Sequence, residues 1–206
     1  PQPSVYKGYG DFASKLEILD YKQMHKCVIC KIEIIMQRRL TMLLIIECIA
    51  VCIIFTILIL PAQYRNPLSQ FASYPTAIKK RVYELPEYKD FINKVEHKNW
   101  TRKFAGAIFI TVFLSIVAYL SGKKSFLSAY NHVFILFLTV NLYDLIVCDL
   151  IIFCHSKKLM IPGTEDMVKE YKNPWHHIKG AIKGMLIGAF ISLLAGSLIQ
   201  VISLFR

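Results

Sequence analysis

The run "LTMLLIIECIAVCIIFTILIL", residues 40–60, holds a single ionisable carboxylate in about 21 positions. Wound at about 1.5 Å per residue it is about 30 Å long, the thickness of one hydrocarbon core. Lipid offers the backbone no hydrogen-bond partners, so a run of this kind crosses as a helix with its bonds closed internally. Three more apolar runs follow, at residues 104–121, 127–154 and 180–205. The second is short. The third is about 28 residues long, which predicts tilt or protrusion. The expected fold class is all-α: an integral membrane protein with four transmembrane helices in an antiparallel bundle. Residues 1–39 form an N-terminal polar, juxtamembrane segment, and residues 40–206 the membrane domain. Pro61 is expected to end the first helix.

Composition agrees. The 206 residues are 55% hydrophobic, and the apolar side chains are gathered into runs instead of spread over a core and surface. The net charge of +11 rests on 25 Lys and Arg that flank the runs, where headgroups lie. No basic stripe interleaved with aromatics occurs in a polar domain, so nucleic acid is not an expected partner. The opening "PQPSVYKGYGDFASKLEILDYKQ" is polar and lacks an apolar h-region, so no secretory leader is expected, and Met24 is a candidate natural start.

The connections differ in length. Residues 62–103 carry Pro67, Pro75 and Pro86 and predict one or two short amphipathic helices. The second connection is only "SGKKS", which predicts a tight hairpin. The third, residues 155–179, contains "IPGTED", where Thr164 followed by Glu165 and Asp166 predicts a helix start. Trp100 and Trp175 stand just before spans, as interfacial aromatics do. Arg38 and Arg39 favour the N-terminus inside. The first and third connections carry fourteen Lys and Arg against ten in residues 1–39, the second connection and the C-terminus, which favours those connections inside, and the larger count decides.

Around "YDLIVCD" and "IPGTED" the chain resembles small uncharacterised bacterial integral membrane proteins of four helices. The likeness covers the last two helices and the loop between them. It implies a bacterial cytoplasmic membrane and brings no activity and no residue role.

The polar residues inside the spans carry the functional question. Asp144 falls near the bilayer centre, where a charge costs about 2.5–3.5 kcal/mol on insertion scales. Asp149 lies a turn from the end facing the third connection. On an α-helix the two stand about 140° apart and do not form a facing dyad. With Asn141 they make a polar arc toward the bundle: an ion or substrate site, or structural glue between helices. Glu47 and His132 enter parallel helices from the same side at similar depth, so they can pair, either as a relay or as a buried hydrogen bond. Lys183 enters the last helix from the side of Asp149 and is expected at that level.

Metal and enzyme chemistry have weaker support. Cys27 and Cys30 make one CxxC beside His25, half of a zinc site. Cys48 and Cys52 share a helix face as small apolar residues. Cys154, His155, His176, His177 and His97 fall on one side of the membrane, and His155 with His177 and Glu165 or Asp166 is the best metal set available. His176 and His177 diverge as neighbours on a helix, and His132 lies on the opposite side, so neither a metal nor a haem or other cofactor is expected. No Gly-x-Ser-x-Gly, Walker loop or His-Glu-x-x-His motif occurs.

Gly180, Gly184, Gly188, Ser192 and Gly196, then Gln200, recur every four residues on the last helix. Such a row lets backbones approach closely. Three functions follow. The first is a small transport or ion-coupling protein using Asn141, Asp144 and Asp149, with Glu47 and His132 as relay. The second is a non-catalytic assembly subunit that packs on another copy or a complex partner through the glycine face. The third, least favoured, is a membrane-embedded enzyme or metal protein. A water-filled polar cavity would point to the first, a large flat apolar face with satisfied carboxylates to the second, and a metal-holding cleft to the third.

Overall fold

The computed structural model describes the backbone of residues 4–205 and the side chains of residues 29–92 and 104–205. The readings on Met24, His25, Cys27, His97 and Trp100 lie outside the described residues. Every regular element described is helical, as a chain of long apolar runs requires. Three helical stretches are long and apolar enough to cross a membrane: Ile29–Arg65, Phe126–His155 and Val168–Leu204. A fourth apolar stretch, Phe104–Leu120, is shorter.

Helix α1 spans Ser4–Arg65 and contains Pro61. The expected stop at Pro61 is therefore displaced by four residues. Proline costs one ladder hydrogen bond, and the helix closes its last turn with Asn66 N–H donating to Ala62 O at 3.1 Å. The chain divides by compactness into Pro1–Ile45 and Ile46–Arg206. The first unit is helical from Ser4 onward, and its described apolar side chains, Ile29 to Met36 among them, are exposed. All that follows concerns the second unit.

Within it, α1 presents a stripe. Half-buried residues recur at Glu47 and Cys48, Val51 and Cys52, Phe55 and Thr56, Ile59 and Leu60, then Gln63, with exposed residues between. That is the period of one helix face. A seven-residue tightly wound stretch at Pro67–Ser73, kinked at Gln70, and α2 (Thr76–Glu84) follow. Helix α3 (Lys89–Leu120) begins well inside the region read as a loop to residue 103. It ends on Gly122 at φ 77°, with Gly122 N–H donating to Tyr119 O and Lys123 N–H to Ala118 O, both at 3.0 Å. This paired closure needs a left-handed residue, which glycine supplies.

Helix α4 (Phe126–Tyr143) continues as a π-wound segment, Asp144–Ile152, and one further tight turn, Phe153–His155. The short α5 is Val168–Tyr171. Helix α6 spans Pro174–Leu204, starting six residues before the expected 180. Its start is built from Asn173, whose side chain accepts from Trp175 N at 3.1 Å, and Pro174 in the first turn.

The first and third connections fold together into a small core. Phe71, Tyr74, Ile78 and Val82 meet Phe153, Leu159, Ile161 and Tyr171, all buried. Tyr74 Oη donates to Leu159 O at 2.8 Å. Burial pushes the Tyr74 phenol above the ordinary tyrosine range, and the neighbouring Tyr171 adds to it. Thr164 is fully buried and is no helix start. Its hydroxyl donates to Ile161 O at 2.7 Å, which leaves Tyr171 Oη to donate to Thr164 Oγ1 and accept from Ile161 N. Tyr171→Phe strands the buried Ile161 N–H. It is expected to cost about 1–3 kcal/mol and to speed protease cleavage within residues 155–173. An unchanged cleavage rate and melting midpoint in detergent would show that this core does not hold the connection.

Candidate functional site

Five-residue hydrogen bonding sets the geometry of Asp144–Ile152. Such a turn holds more residues than an α-turn, so residues five apart diverge less than α-winding would make them. Asp144 and Asp149 are five apart. The divergence of about 140° expected on a regular helix is reduced by this winding, and both Asp144 and Asp149 line one cleft of about 830 Å³. Such wide turns are frequent at functional sites.

The cleft takes its walls from α1 (Phe55, Ile59, Gln63), the Ser73–Ala77 stretch, the Asn141–Asp149 face, and α6 from Trp175 to Gly184. Asp149 Oδ2 lies 3.1 Å from His177 Nδ1. His177 is 4% exposed, and its Nε2 has no hydrogen-bond partner among the described residues. Asp144 is half-buried and has no ion-pair partner among them. Asn141 also reaches the cleft, but its amide is committed: Nδ2 donates to Ala181 O at 2.9 Å. Because Asn141 meets Ala181 and Gly184, Lys183 lies at Asn141's depth, inward of Asp144 and not level with Asp149 as expected. Lys179 and Lys183 both line the cleft.

The glycine row of α6 is consumed within the chain. A Cβ at Gly184 would strike the Asn141 side chain, and one at Gly188 would strike the Phe137 ring. One at Gly196 would sit 3.0 Å from Phe126 O. Ser192, fully buried, turns its hydroxyl to Gly188 O at 2.7 Å. Gln200 Oε1 accepts from Phe126 N at 2.9 Å, capping the start of α4. Gly180 departs from the row: nothing lies within 4 Å of its Cβ position, and it lines the cleft instead.

A second polar cluster sits where α1, α3 and α4 meet. Glu47 Oε2 is 2.9 Å from His132 Nε2, and Ser121 Oγ donates to Glu47 Oε1. His132 is buried to 4% exposure. Along the same α1–α4 seam, Cys48 Sγ lies 3.6 Å from Thr139 Oγ1 and Thr56 Oγ1 lies 2.8 Å from Tyr143 Oη. The serine–glutamate–histidine order places the carboxylate in the middle, where it cannot orient histidine as a base toward serine. The cluster binds helices together and can hold a proton; it is not a nucleophile site.

The weak metal candidates stay apart. His155 Nδ1 faces the Leu150 and Ile151 carbonyls, each at 3.1 Å, while His177 turns to Asp149. Glu165 accepts from Gly163 N at 2.9 Å, and Asp166 is exposed. His176 Nε2 donates to Ser73 O at 2.8 Å, tying α6 to the first connection. Among the described residues no three His, Cys, Asp or Glu converge on a point. Neither the π-winding nor the core of the two connections was legible beforehand; the one available signal was the pair of acids spaced at five in an apolar run. No family model, curated protein or solved structure matches this chain.

Proposed function

We propose that the chain is a small membrane transport protein whose carboxylates, Asp144 and Asp149, hold the cation that is moved or that drives movement. In this reading four helices cross a bacterial cytoplasmic membrane in antiparallel order, with the first and third connections inside. Support for the order comes from the partners of α4. As numbers rise through Phe126, Phe137, Asn141 and Asp149, their α6 partners fall through Gly196, Gly188, Gly184 and His177. On α1 the partners of His132, Thr139 and Tyr143 rise through Glu47, Cys48 and Thr56.

One observation carries the function. Asp144 stands half-buried in a span, in the same polar cleft as Asp149, without a cation of the chain's own within ion-pairing distance among the described residues. An acid in a span is costly, and such residues mark ion and proton pathways. A purely structural acid would be closed by a partner, as Glu47 is. The assembly reading loses its surface, because α4 of the same chain fills the glycine face at Gly184, Gly188 and Gly196.

The test is cation and proton flux into proteoliposomes. Asp144→Asn keeps shape and polarity while removing the charge, so it is expected to fold and to lose at least about nine-tenths of the flux, the tenfold that about 1.4 kcal/mol represents. Lys124→Gln, at the exposed hairpin, is expected to leave flux unchanged. Full flux in Asp144→Asn would end this reading.

A further inference from the structure

We propose that the cleft binds a zwitterion made of an ammonium joined by a short linker to a phosphate: an aminoalkyl phosphate, whether free or as a lipid headgroup. This rests on the transport reading and names the cation that Asp144 receives. The cleft holds both signs of charge, and Asp144, Lys179 and Lys183 are not closed on each other. Asp144 has no ion-pair partner among the described residues, and neither Lys179 nor Lys183 has one. Yet all three line the same ≈ 830 Å³ space. That volume falls in the range of small-molecule sites. In a site walled by spans, opposite charges gain strongly by meeting. Charges held apart across a cleft instead select a ligand that carries the complementary charges at a fixed separation.

The ends can be assigned. Asp144, whose carboxylate meets only the Cys148 thiol, offers an ammonium a carboxylate without an ion-pair partner among the described residues, while Asp149 is already engaged by His177. Lys179 and Lys183 are four apart on α6, so their side chains share a face and can both reach one anion. Two ammonium groups suit the several oxygens of a phosphate. The α6 lysines lie on both sides of Asp144 in depth: Lys183 beside Asn141, and Lys179 toward the His177–Asp149 contact. Phe55, Ile59 and Leu145 line the same space and give methylene groups or acyl chains an apolar wall. The other titratable groups that line it are Lys79 on α2, whose Nζ donates to Ala72 O at 3.1 Å, Glu170 on the short α5, and His176 in the first turn of α6, which holds Ser73 O.

The test uses the full chain. In detergent, O-phosphoethanolamine and glycerol phosphate are titrated by calorimetry. In parallel, nanodiscs offer phosphatidylethanolamine against phosphatidylglycerol, with retained lipid read by native mass spectrometry. The amine-bearing probe is expected to be preferred, and Asp144→Asn and Lys183→Gln each to weaken it about tenfold or more, the size of one lost hydrogen bond to a charged group. Binding of the free compound identifies a soluble ligand. Retention of the lipid alone identifies a headgroup. No preference for the amine, or full binding by Lys183→Gln, overturns the proposal. Lys183 is exposed, so that variant decides the matter even where Asp144→Asn folds poorly. If flux still needs Asp144 while no amine preference exists, this inference fails alone. If the amine is bound and no flux occurs, the transport reading fails instead.

Discussion

Gly188→Leu is expected to lower the melting midpoint in detergent by about 6–12 °C, from overpacking of about 3 kcal/mol at about 2–4 °C per kcal/mol. Gly188 is buried at the α4–α6 crossing, and the first added carbon would meet Phe137 ring atoms at 2.7 and 2.9 Å. A ring is rigid, so relief requires the two helices to separate. Separation also loosens the Asn141–Ala181 bond and the Gln200 cap on Phe126, which flank the crossing. Gly180→Leu supplies the control, since nothing lies within 4 Å of its Cβ position. Leu193→Ala supplies a second, because Leu193 is 46% exposed. Both are expected to stay within about 2 °C of the parent, as surface changes do. Equal midpoints for the two glycine variants would remove the close crossing from the fold.

Glu47→Ala is expected to cost about 3–5 kcal/mol, the loss seen when one partner of a buried pair is deleted. The deletion leaves His132, 4% exposed, without its 2.9 Å partner and leaves Ser121 without its acceptor. Glu47→Leu combined with His132→Leu removes both polar groups together and is expected to recover most of that loss. Glu47→Gln keeps an acceptor for Ser121 and is expected to fall between them. Unfolding of Glu47→Leu, His132→Leu and the double variant in one detergent completes the cycle. Additive costs would mean that the two side chains stabilise the fold independently.

The apolar runs were legible because bilayer thickness sets a length, and a length can be counted. The meeting of Glu47 and His132 was legible for the same reason: depth in parallel helices is residue number times rise. Counting failed where the backbone departs from regular α-winding. Asp144 and Asp149 were placed on diverging faces because α-winding was assumed, and no residue between them announces a wider turn. Lys183 was placed too shallow because Asn173 and Pro174 start α6 earlier than hydropathy shows. The core of the two connections escaped for another reason. Tyr74, Leu159, Thr164 and Tyr171 lie in segments without period, and their mutual satisfaction depends on contacts across about 85 residues of chain. Within the glycine row, spacing alone could not separate Gly180, which lines a cavity, from Gly184, which meets a side chain.

The wide turn at Asp144–Ile152 has a consequence beyond the site. It acts as a phase shifter between the membrane half of α4, keyed to α6 by Phe126, Phe137 and Asn141, and its outer end, keyed by Phe153 to Tyr74 and Tyr171. Removing one residue there would not simply delete a side chain. It would rotate everything beyond it by about 100°, and Phe153 and the membrane half of α4 could no longer both keep their partners. The stretch that carries both acids to one cleft is also the gear that lets one helix serve two cores.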